Sequence, residues 1–370
     1  MGSTAPNPND RPADSGVNFS GPPASSGPQL TVERRHDKSM LMTLLLAIVK
    51  PFRPRLVISK GSPGSGSPRL SAPKKVLRDH KVEERSVENI WIYDVTPIDR
   101  TAKEEASRPR SSSRRIYYFA GGGWQSPASP HHWAFVATLA DRLPQTTVSL
   151  VSYPLAPDNP ASVSMPRLKT LYHTLMQQSS RAAEHVVMAG DSSGGNVALS
   201  LVLWALASEG AGEAAGHSHP VAIMAICPTT DLRHNNADIQ AVARRDPIMT
   251  IPFISSTAGA WCAAGHNSAD PETGQSAQWT AEDPRVSPIL GPVELFARHG
   301  IKIHGVVGMW DVLAPESMEF VDRCRELGVG GQWLVWEGQM HCFPLAFRYG
   351  LRESVQALDW ISRVLGEGGS

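Results

Sequence analysis

The stretch that decides the fold is "HVVMAGDSSGGNVALSLVLWALASEG", from His185 to Gly210. An apolar run of strand length leads into Gly-Asp-Ser-Ser-Gly, and a long apolar run typical of a buried helix follows. The five central residues fit the pattern G-x-S-x-G, in which small residues let a serine oxygen project from a sharp strand-to-helix turn. We therefore predict that Ser192 is a nucleophile. The alternative is a tight turn that merely uses glycine.

The same alternation of strand and helix extends on both sides of this turn. Strands are predicted in "SVENIWIYDVTP", "RRIYYF", "TTVSLVSYP", "VAIMAICP", "IKIHGVVGM" and "GQWLVWEGQ", and amphipathic or apolar helices separate most of them. Near-continuous apolar strands that alternate with helices are typical of a mostly parallel sheet covered on both faces. We therefore predict an α/β fold with one large core.

The N-terminal quarter of the chain has a different composition. Residues 1–38 are rich in Pro, Ser and Gly, which predicts a disordered tail. Residues 39–75 are predicted to form a short helix and a flexible linker, and residues 76–370 the main domain. The apolar run from Met40 to Val49 is about half the length that crosses a bilayer. It either packs on the body of the protein or contacts a membrane surface peripherally, with Lys50 nearby.

Charge and cysteine content exclude several classes of partner. Lysine plus arginine and aspartate plus glutamate number 35 each, so no net field attracts nucleic acid. Four cysteines lack any regular spacing, which argues against a disulfide framework and a metal site and favours a reducing, cytoplasmic location. No phosphate-binding or dinucleotide-binding glycine motif is present, so no cofactor is expected. The expected partners are small, uncharged molecules; the oligomeric state stays open. The cysteines are Cys227, Cys262, Cys324 and Cys342.

A nucleophilic serine needs a base and an acid that orients this base. Asp311 follows the predicted strand "IKIHGVVGM", and His341 follows "GQWLVWEGQ", so both belong at the edge of the sheet where parallel strands end. The order Ser, Asp, His is the one that a G-x-S-x-G turn in this kind of sheet requires. Asp311 taken alone fits equally well as the N-cap of the next helix.

Three glycines in "AGGGWQ" follow the strand that ends at Phe119. Residues without Cβ atoms allow a substrate carbonyl to approach the backbone closely. His131 and His132 are expected to begin the next helix, where packing is favoured over a role in the pocket. The pair His217 and His219 lacks a third ligand in its neighbourhood, so metal binding is not expected there. Among later residues, Met249, Phe253 and Trp261 either face an apolar ligand or pack in the core.

Several of these segments together resemble the hormone-sensitive-lipase-like branch of the α/β-hydrolases, and in particular its fungal esterase-like members. The matching motifs are "AGGGW", "SYPLAPD", "GDSSGGN", "DPRVSPI", "GMWDVL" and "GQMHCF". The resemblance implies an α/β-hydrolase fold with a helical cap and a catalytic triad of Ser192, Asp311 and His341. It also implies an oxyanion hole built from the N–H groups of Gly122, Gly123 and Ser193, and a cap formed by residues 233–282 and 39–57.

The function implied by this resemblance is hydrolysis of a carboxylic ester of a medium-sized apolar molecule through an acyl-enzyme. Two alternatives stay open. One is product release, deacylation or acyl transfer in a fungal polyketide-type pathway, and the other is ligand binding without catalysis, as in a receptor. The sequence departs from the family at Ala120, where most members have histidine. Because this histidine mainly supports the glycine loop, its replacement is expected to alter activity without abolishing it.

Overall fold

The computed structural model describes residues 1–2, 29–52, 64–98, 113–209, 218–263 and 279–367. In these ranges the strands, numbered in chain order, form one nine-stranded sheet. They are β1 (Leu30–Arg35), β2 (His80–Val87), β3 (Ile90–Pro97), β4 (Arg114–Phe119), β5 (Thr146–Ser152), β6 (His185–Asp191), β7 (Ala222–Ile226), β8 (Lys302–Gly308) and β9 (Gly331–Trp336).

Helices connect most of the strands. They are α1 (Met40–Val49), α2 (Lys74–Asp79), α3 (Pro130–Arg142), α4 (Ala161–Arg181), α5 (Ser193–Ser208), α6 (Ile239–Ala243), α7 (Ile251–Trp261), α8 (Glu294–Arg298), α9 (Ala314–Glu326) and α10 (Arg352–Glu367). Short 3₁₀ segments occupy Lys50–Phe52, Pro288–Leu290 and Phe343–Tyr349. Among the described helices, none combines the length and the apolar character that crossing a bilayer requires.

The sheet confirms the predicted α/β architecture. Its strand order is β1-β9-β8-β7-β6-β4-β5-β3-β2, and all pairs are parallel except β2 with β3 and β3 with β5. Successive side chains of a strand point to opposite faces, so Tyr117 and Phe119 join one buried cluster while Ile116 and Tyr118 join the other. Helices α4, α5 and α9 cover the first face, and α3 and α10 cover the second.

The prediction of a disordered tail over residues 1–38 is wrong for its last part. Leu30–Arg35 form strand β1, which pairs in parallel with β9 at the edge of the sheet. The indole N–H of Trp336 also donates to the carbonyl of Asp37 at 2.7 Å. This segment is polar because it is an edge strand whose side chains alternate between exposed and half-buried positions, and composition alone does not reveal its backbone pairing. Residues 3–28 lie outside the described ranges.

The predicted linker is also more ordered than its composition suggests. From Gly64 onward it bonds to the loop after β5: the Gly64 N–H donates to Asp158 and the Gly66 N–H to Asn159, both at 2.9 Å. Its last residues belong to α2. The prediction of a flexible linker is therefore wrong from Gly64 onward, because hydrogen bonds fix these residues. Residues 53–63 lie outside the described part.

The segment predicted to form the cap carries α6 and α7 between β7 and β8. The end of α1 contacts this segment, because Lys50 Nζ donates to the carbonyl of Arg244 at 2.7 Å. At its other end, Ser39 caps α1 and bonds to the buried carboxylate of Glu353 in α10. The structure therefore places α1 between the body and the cap. Residues 264–278, which also belong to the predicted cap, are not described.

Candidate active site

Ser192 lies at the sharp turn between β6 and α5, as the sequence predicts. Its backbone has φ 53° and ψ −123°, a conformation that side chains rarely adopt and that marks strained functional turns. The Ser192 N–H donates to the carbonyl of Ile226 at 2.9 Å, which ties the turn to the end of the neighbouring strand β7. The serine is thereby held at the carboxyl edge of the sheet, where strands β6 and β7 end.

The glycines that flank Ser192 are required by close backbone packing. A Cβ atom on Gly194 would lie 2.0 Å from the carbonyl oxygen of Phe119, and one on Gly190 would lie 2.5 Å from the backbone of Gly194. Both distances are far inside van der Waals contact. The first turn of α5 can therefore pack directly on the end of β4, from which the glycine loop departs.

His341 and Asp311 form a buried pair at the same edge. Nδ1 of His341 lies 2.7 Å from Oδ2 of Asp311, and the other oxygen of Asp311 accepts the N–H of Leu313 at 2.9 Å. The carboxylate therefore contacts the histidine and also accepts a backbone N–H just before α9, but the N-cap of α9 is Leu313, so Asp311 is not the predicted cap. Among the described residues, Ser192 Oγ makes no hydrogen bond, and it lines the same pocket as His341.

A second buried carboxylate, Asp246, lies behind this pair. It accepts the N–H groups of Ile248 and Met249 through one oxygen and that of Val312 through the other, at 2.7, 2.8 and 2.8 Å. Burial and the charge of Asp311 raise the pKa of Asp246 to about 6. Asp246 thus joins the cap to the loop that carries Asp311. Sequence reasoning missed this residue because nothing in "RRDPIM" distinguishes it from a surface aspartate.

The charge on His341 is governed by its carboxylate neighbours. Burial opposes its protonation, but the charge of Asp311 and the hydrogen bond to it outweigh burial and raise the pKa of His341 to about 9. The protonated imidazole therefore predominates in the ligand-free protein near neutral pH. In this form both ring nitrogens are donors.

Gly122, Gly123 and Ser193 lie together at the pocket wall. Within the described ranges, their N–H groups have no protein acceptor, and Ser193 is the first residue of α5. Gly123 has φ 60°, and a Cβ atom on it would lie 2.8 Å from the side chain of Thr257 in the cap. Free N–H groups of a glycine loop and of a helix N-terminus are suited to stabilise negative charge.

Asp191, next to the serine, fixes the glycine loop. Its Oδ1 accepts the hydroxyl of Tyr118 at 2.7 Å and the N–H of Gly121 at 3.0 Å, and its Oδ2 lies 3.3 Å from Nε2 of His132. Burial opposes ionisation of Asp191, but His132 and these hydrogen bonds lower its pKa. The carboxylate therefore connects β4, β6 and the helix that follows the loop.

His132 has a more specific role than sequence reasoning gave it. Ser129 donates its N–H to Nδ1 of His132 at 2.9 Å and caps α3, so the imidazole proton lies on Nε2, which faces Asp191. His132 is buried and lines the pocket, whereas its neighbour His131 bonds to the hydroxyl of Tyr349 at 2.8 Å. The signal that was available is a histidine at the third position of the helix directly after the glycine loop.

Ala120 is buried, and its carbonyl accepts the hydroxyl of Tyr153 at 2.9 Å. The loop is therefore held by Tyr153 at Ala120 and by Asp191 at Gly121. These two contacts involve only backbone groups of the loop, so they do not require a hydrogen-bonding side chain at position 120.

A pocket of about 270 Å³ opens above Ser192. Of the predicted site residues, Asp311 lies behind the pocket wall, and the other five line it. Trp124, in the loop after β4, contributes to the apolar lining. The rest of it comes from the cap and from the loops after β8 and β9: Ile248, Met249, Phe253, Ile254, Leu313 and Leu345. Met249 and Phe253 thus face the cavity, whereas Trp261 is buried and stacks on Trp124 at 5.7 Å.

The remaining histidine candidates lie elsewhere. His217 is outside the described residues, and His219 lies 3.3 Å from Glu209, away from the pocket lining. The cysteines differ from expectation. Cys227 and Cys342, distant in sequence, lie with His341 in one group whose ligand atoms are all within 4.8 Å of one another. Spacing along the chain therefore does not exclude a cluster that the fold assembles.

Curated relatives of the chain are esterases and lipases. An esterase of Acinetobacter venetianus is 23% identical over 255 residues, which cover 69% of this chain and 75% of that protein. Human hormone-sensitive lipase is 28% identical over 159 residues, which cover 42% of this chain. The chain spans only 14% of the length of the human lipase.

Solved structures share the fold at low identity. A hormone-sensitive lipase from a metagenome library superposes with a TM-score of 0.67 at 18% identity, covering 90% of this chain and all of that one. A putative esterase from Staphylococcus aureus gives 0.63 at 20% identity, covering 80% and 87%. The family described as "alpha/beta hydrolase fold" matches residues 116–345, which include the serine turn, the glycine loop and the Asp–His pair. The chain therefore belongs to the α/β-hydrolase family.

Proposed function

We propose that this protein is a serine hydrolase that cleaves the carboxylic ester of a small to medium-sized, apolar, uncharged molecule through an acyl-enzyme. The observation that carries the proposal is the 2.7 Å contact of His341 Nδ1 with Asp311, beside a pocket that His341 shares with the strained Ser192. The esterase relatives and the family match agree with it. Ser192, His341 and Asp311 are the nucleophile, the base and the orienting acid.

The proposed reaction begins when neutral His341 takes the proton of Ser192 Oγ as this oxygen attacks the ester carbonyl. The protonated imidazole, stabilised by Asp311, then gives the proton to the leaving alcohol, and the acyl group stays on Ser192. Water, deprotonated by the same imidazole, attacks the acyl-enzyme. The acid leaves, and the proton returns to Ser192.

Negative charge develops on the carbonyl oxygen in both steps. The N–H groups of Gly122, Gly123 and Ser193 are the proposed donors to it, because they line the pocket and have no other acceptor in the described part of the chain. Loss of one such donor typically costs about 3 to 4 kcal/mol of transition-state stabilisation. The close contact of Gly194 with Phe119 supports this role, since it holds the donors of the loop near the donor of α5.

The pocket supports an apolar and uncharged substrate. Its volume of about 270 Å³ lies at the small end for ligand sites, which favours short acyl groups. Asp191 is the one carboxylate among the described lining residues, and its oxygens are already bonded to Tyr118, Gly121 and His132. No lysine or arginine of the described lining is available to pair with a charged ester.

The alternatives from the sequence use the same residues. Acyl transfer in a fungal polyketide-type pathway needs an alcohol or amine instead of water at the same acyl-enzyme, so product analysis with an added alcohol separates it from hydrolysis. A receptor that binds without catalysis needs no reactive serine. His341 and its contact with Asp311 disfavour that alternative, since binding alone does not require an oriented base.

Replacing the nucleophile tests the proposed function. With p-nitrophenyl butyrate, the ester soaked into a similar structure that is 21% identical, we expect Ser192→Ala to lower kcat by about 10⁴-fold or more. Ser200→Ala is the matched control, since Ser200 lies buried further along α5 and outside the pocket. Equal rates for the wild type and Ser192→Ala would contradict the proposal.

The pH dependence tests the state of His341. Its pKa of about 9 exceeds the ordinary value of 6.5, so the charged imidazole stabilises the fold below about pH 6.5, and this contribution is lost as pH rises through 9. Catalysis needs the neutral base, so we expect kcat/KM to rise with pH up to about 9. Rates of Ser192→Ala, measured in parallel, correct for spontaneous hydrolysis. A midpoint at or below 6.5 would show that the pKa of His341 is not raised, and that its carboxylate neighbours do not outweigh burial.

His132 is predicted to position the glycine loop through Asp191. We expect His132→Ala to lower kcat by about 10- to 100-fold with little change in KM, because misplaced oxyanion donors affect the transition state most. His132→Gln keeps an acceptor for Ser129 and a donor for Asp191, so it should recover part of the loss. Steady-state kinetics and thermal unfolding are compared with those of His131→Ala. A loss of kcat no larger than in His131→Ala would show that His132 does not position the glycine loop.

A further inference from the structure

Two cysteines lie beside the proposed catalytic histidine, and the proposed reaction uses neither of them. Cys227 follows β7 and is fully buried, whereas Cys342 follows His341 and lines the pocket. The two sulfur atoms and a ring nitrogen of His341 all lie within 4.8 Å of one another. Three soft or borderline ligand atoms thus converge from two different strand ends.

The geometry of this group suits a tetrahedral metal ion. Zinc bonds of about 2.3 Å to sulfur and about 2.0 Å to nitrogen, at a tetrahedral angle, place the two ligand atoms about 3.5 Å apart. Cys342 Sγ lies 3.4 Å from Nε2 of His341. The ligand pair is therefore spaced for one ion without movement of either residue.

The opposite side of the imidazole provides a second, independent observation. Metal-binding histidines usually donate their other ring N–H to a carboxylate, which fixes the ring and makes the ligand nitrogen more basic. Nδ1 of His341 makes this contact with Asp311 at 2.7 Å. The arrangement that orients a catalytic base therefore also orients a metal ligand.

Charge and access determine which ion fits. Two thiolates neutralise the charge of one divalent cation. Without a cation these thiolates would be unfavourable, because Cys227 is fully buried and Cys342 Sγ lies 3.7 Å from the carboxylate of Asp191. Thiolate and imidazole ligands favour Zn²⁺ over Mg²⁺ or Ca²⁺. An ion can enter from the pocket, where His341 and Cys342 are both exposed to the cavity.

Backbone strain at the two cysteines adds to this picture. Cys227 has φ 45° and Cys342 has φ 49°, a left-handed region that residues other than glycine adopt only at a cost. Strained residues of this kind cluster at functional sites. Glycine would adopt this backbone conformation without strain at either position. The presence of cysteine at both therefore suggests that the thiol side chains are needed.

We propose that Cys227, Cys342 and Nε2 of His341 form an inhibitory site for a thiophilic divalent cation such as Zn²⁺. On binding, each thiol releases one proton to solvent, protonated His341 releases the proton on Nε2, and three bonds from the protein to the metal form. Because the metal occupies Nε2, His341 cannot accept the proton of Ser192. The binding site is independent of the proposed esterase activity, whereas the inhibition rests on it.

Cobalt substitution tests the site directly. Full-length protein is stripped with a chelator, kept reduced with a phosphine and titrated with Co²⁺. We expect one equivalent to produce a thiolate-to-cobalt charge-transfer band and visible bands of tetrahedral cobalt, and Zn²⁺ to displace it. Cys227→Ser and Cys342→Ser should each weaken the charge-transfer band and lower Zn²⁺ affinity by about tenfold or more. Cys342→Gly, which relieves the strained backbone, gives a second variant in case serine disturbs folding.

The control and the activity measurement separate the two proposals. Cys262→Ser changes another partly exposed free thiol, outside the pocket lining, and should leave both the band and the Zn²⁺ affinity unchanged. Zn²⁺ should inhibit ester hydrolysis by the wild type, reversibly on chelation, and about tenfold less effectively in Cys227→Ser. Absence of the band, or a band that survives both Cys227→Ser and Cys342→Ser, would overturn the metal site. A band without any esterase activity would instead overturn the proposed function alone.

Discussion

The rest of the site depends on one close approach of two backbones. The first turn of α5 packs on the end of β4 so tightly that a Cβ atom on Gly194 would lie 2.0 Å from the carbonyl oxygen of Phe119. This contact places the N–H of Ser193 beside the loop that begins at Ala120. A strand-to-helix turn at Ser192 and a strand-to-loop turn at Ala120, far apart in sequence, thereby face the same cavity. Any larger residue at position 194 would separate the two.

Carboxylates hold the parts that this contact brings together. Asp191 joins the glycine loop to β6 and, through His132, to α3; Asp311 orients His341; and Asp246 joins the cap to the loop before α9. Each of the three is buried, so each depends on its hydrogen bonds for solvation. A buried carboxylate with several donors is a rigid support, because breaking any one bond leaves charge without compensation. The geometry of the pocket is therefore set by charge as well as by apolar packing.

The central elements of the fold and site could be predicted from the sequence, because apolar strands, helical periodicity and small residues at a turn act locally. Ser192, Asp311 and His341 each follow a strand that the apolar pattern predicts. Three features could not be predicted in this way. Strand β1 is polar because it lies at an edge, and His132 contacts a carboxylate on another element. Cys227 lies near Cys342 only after β7 and β9 are placed in one sheet. Each depends on tertiary neighbours and leaves no local pattern.

Covalent labelling shows directly whether Ser192 is an activated nucleophile. The wild type, Ser192→Ala and His341→Ala are treated with a fluorophosphonate and analysed by peptide mass spectrometry. We expect one adduct on Ser192 in the wild type, none in Ser192→Ala, and much slower labelling in His341→Ala because the base is absent. No adduct on the folded wild type, or an adduct on another serine, would show that Ser192 is not the activated nucleophile.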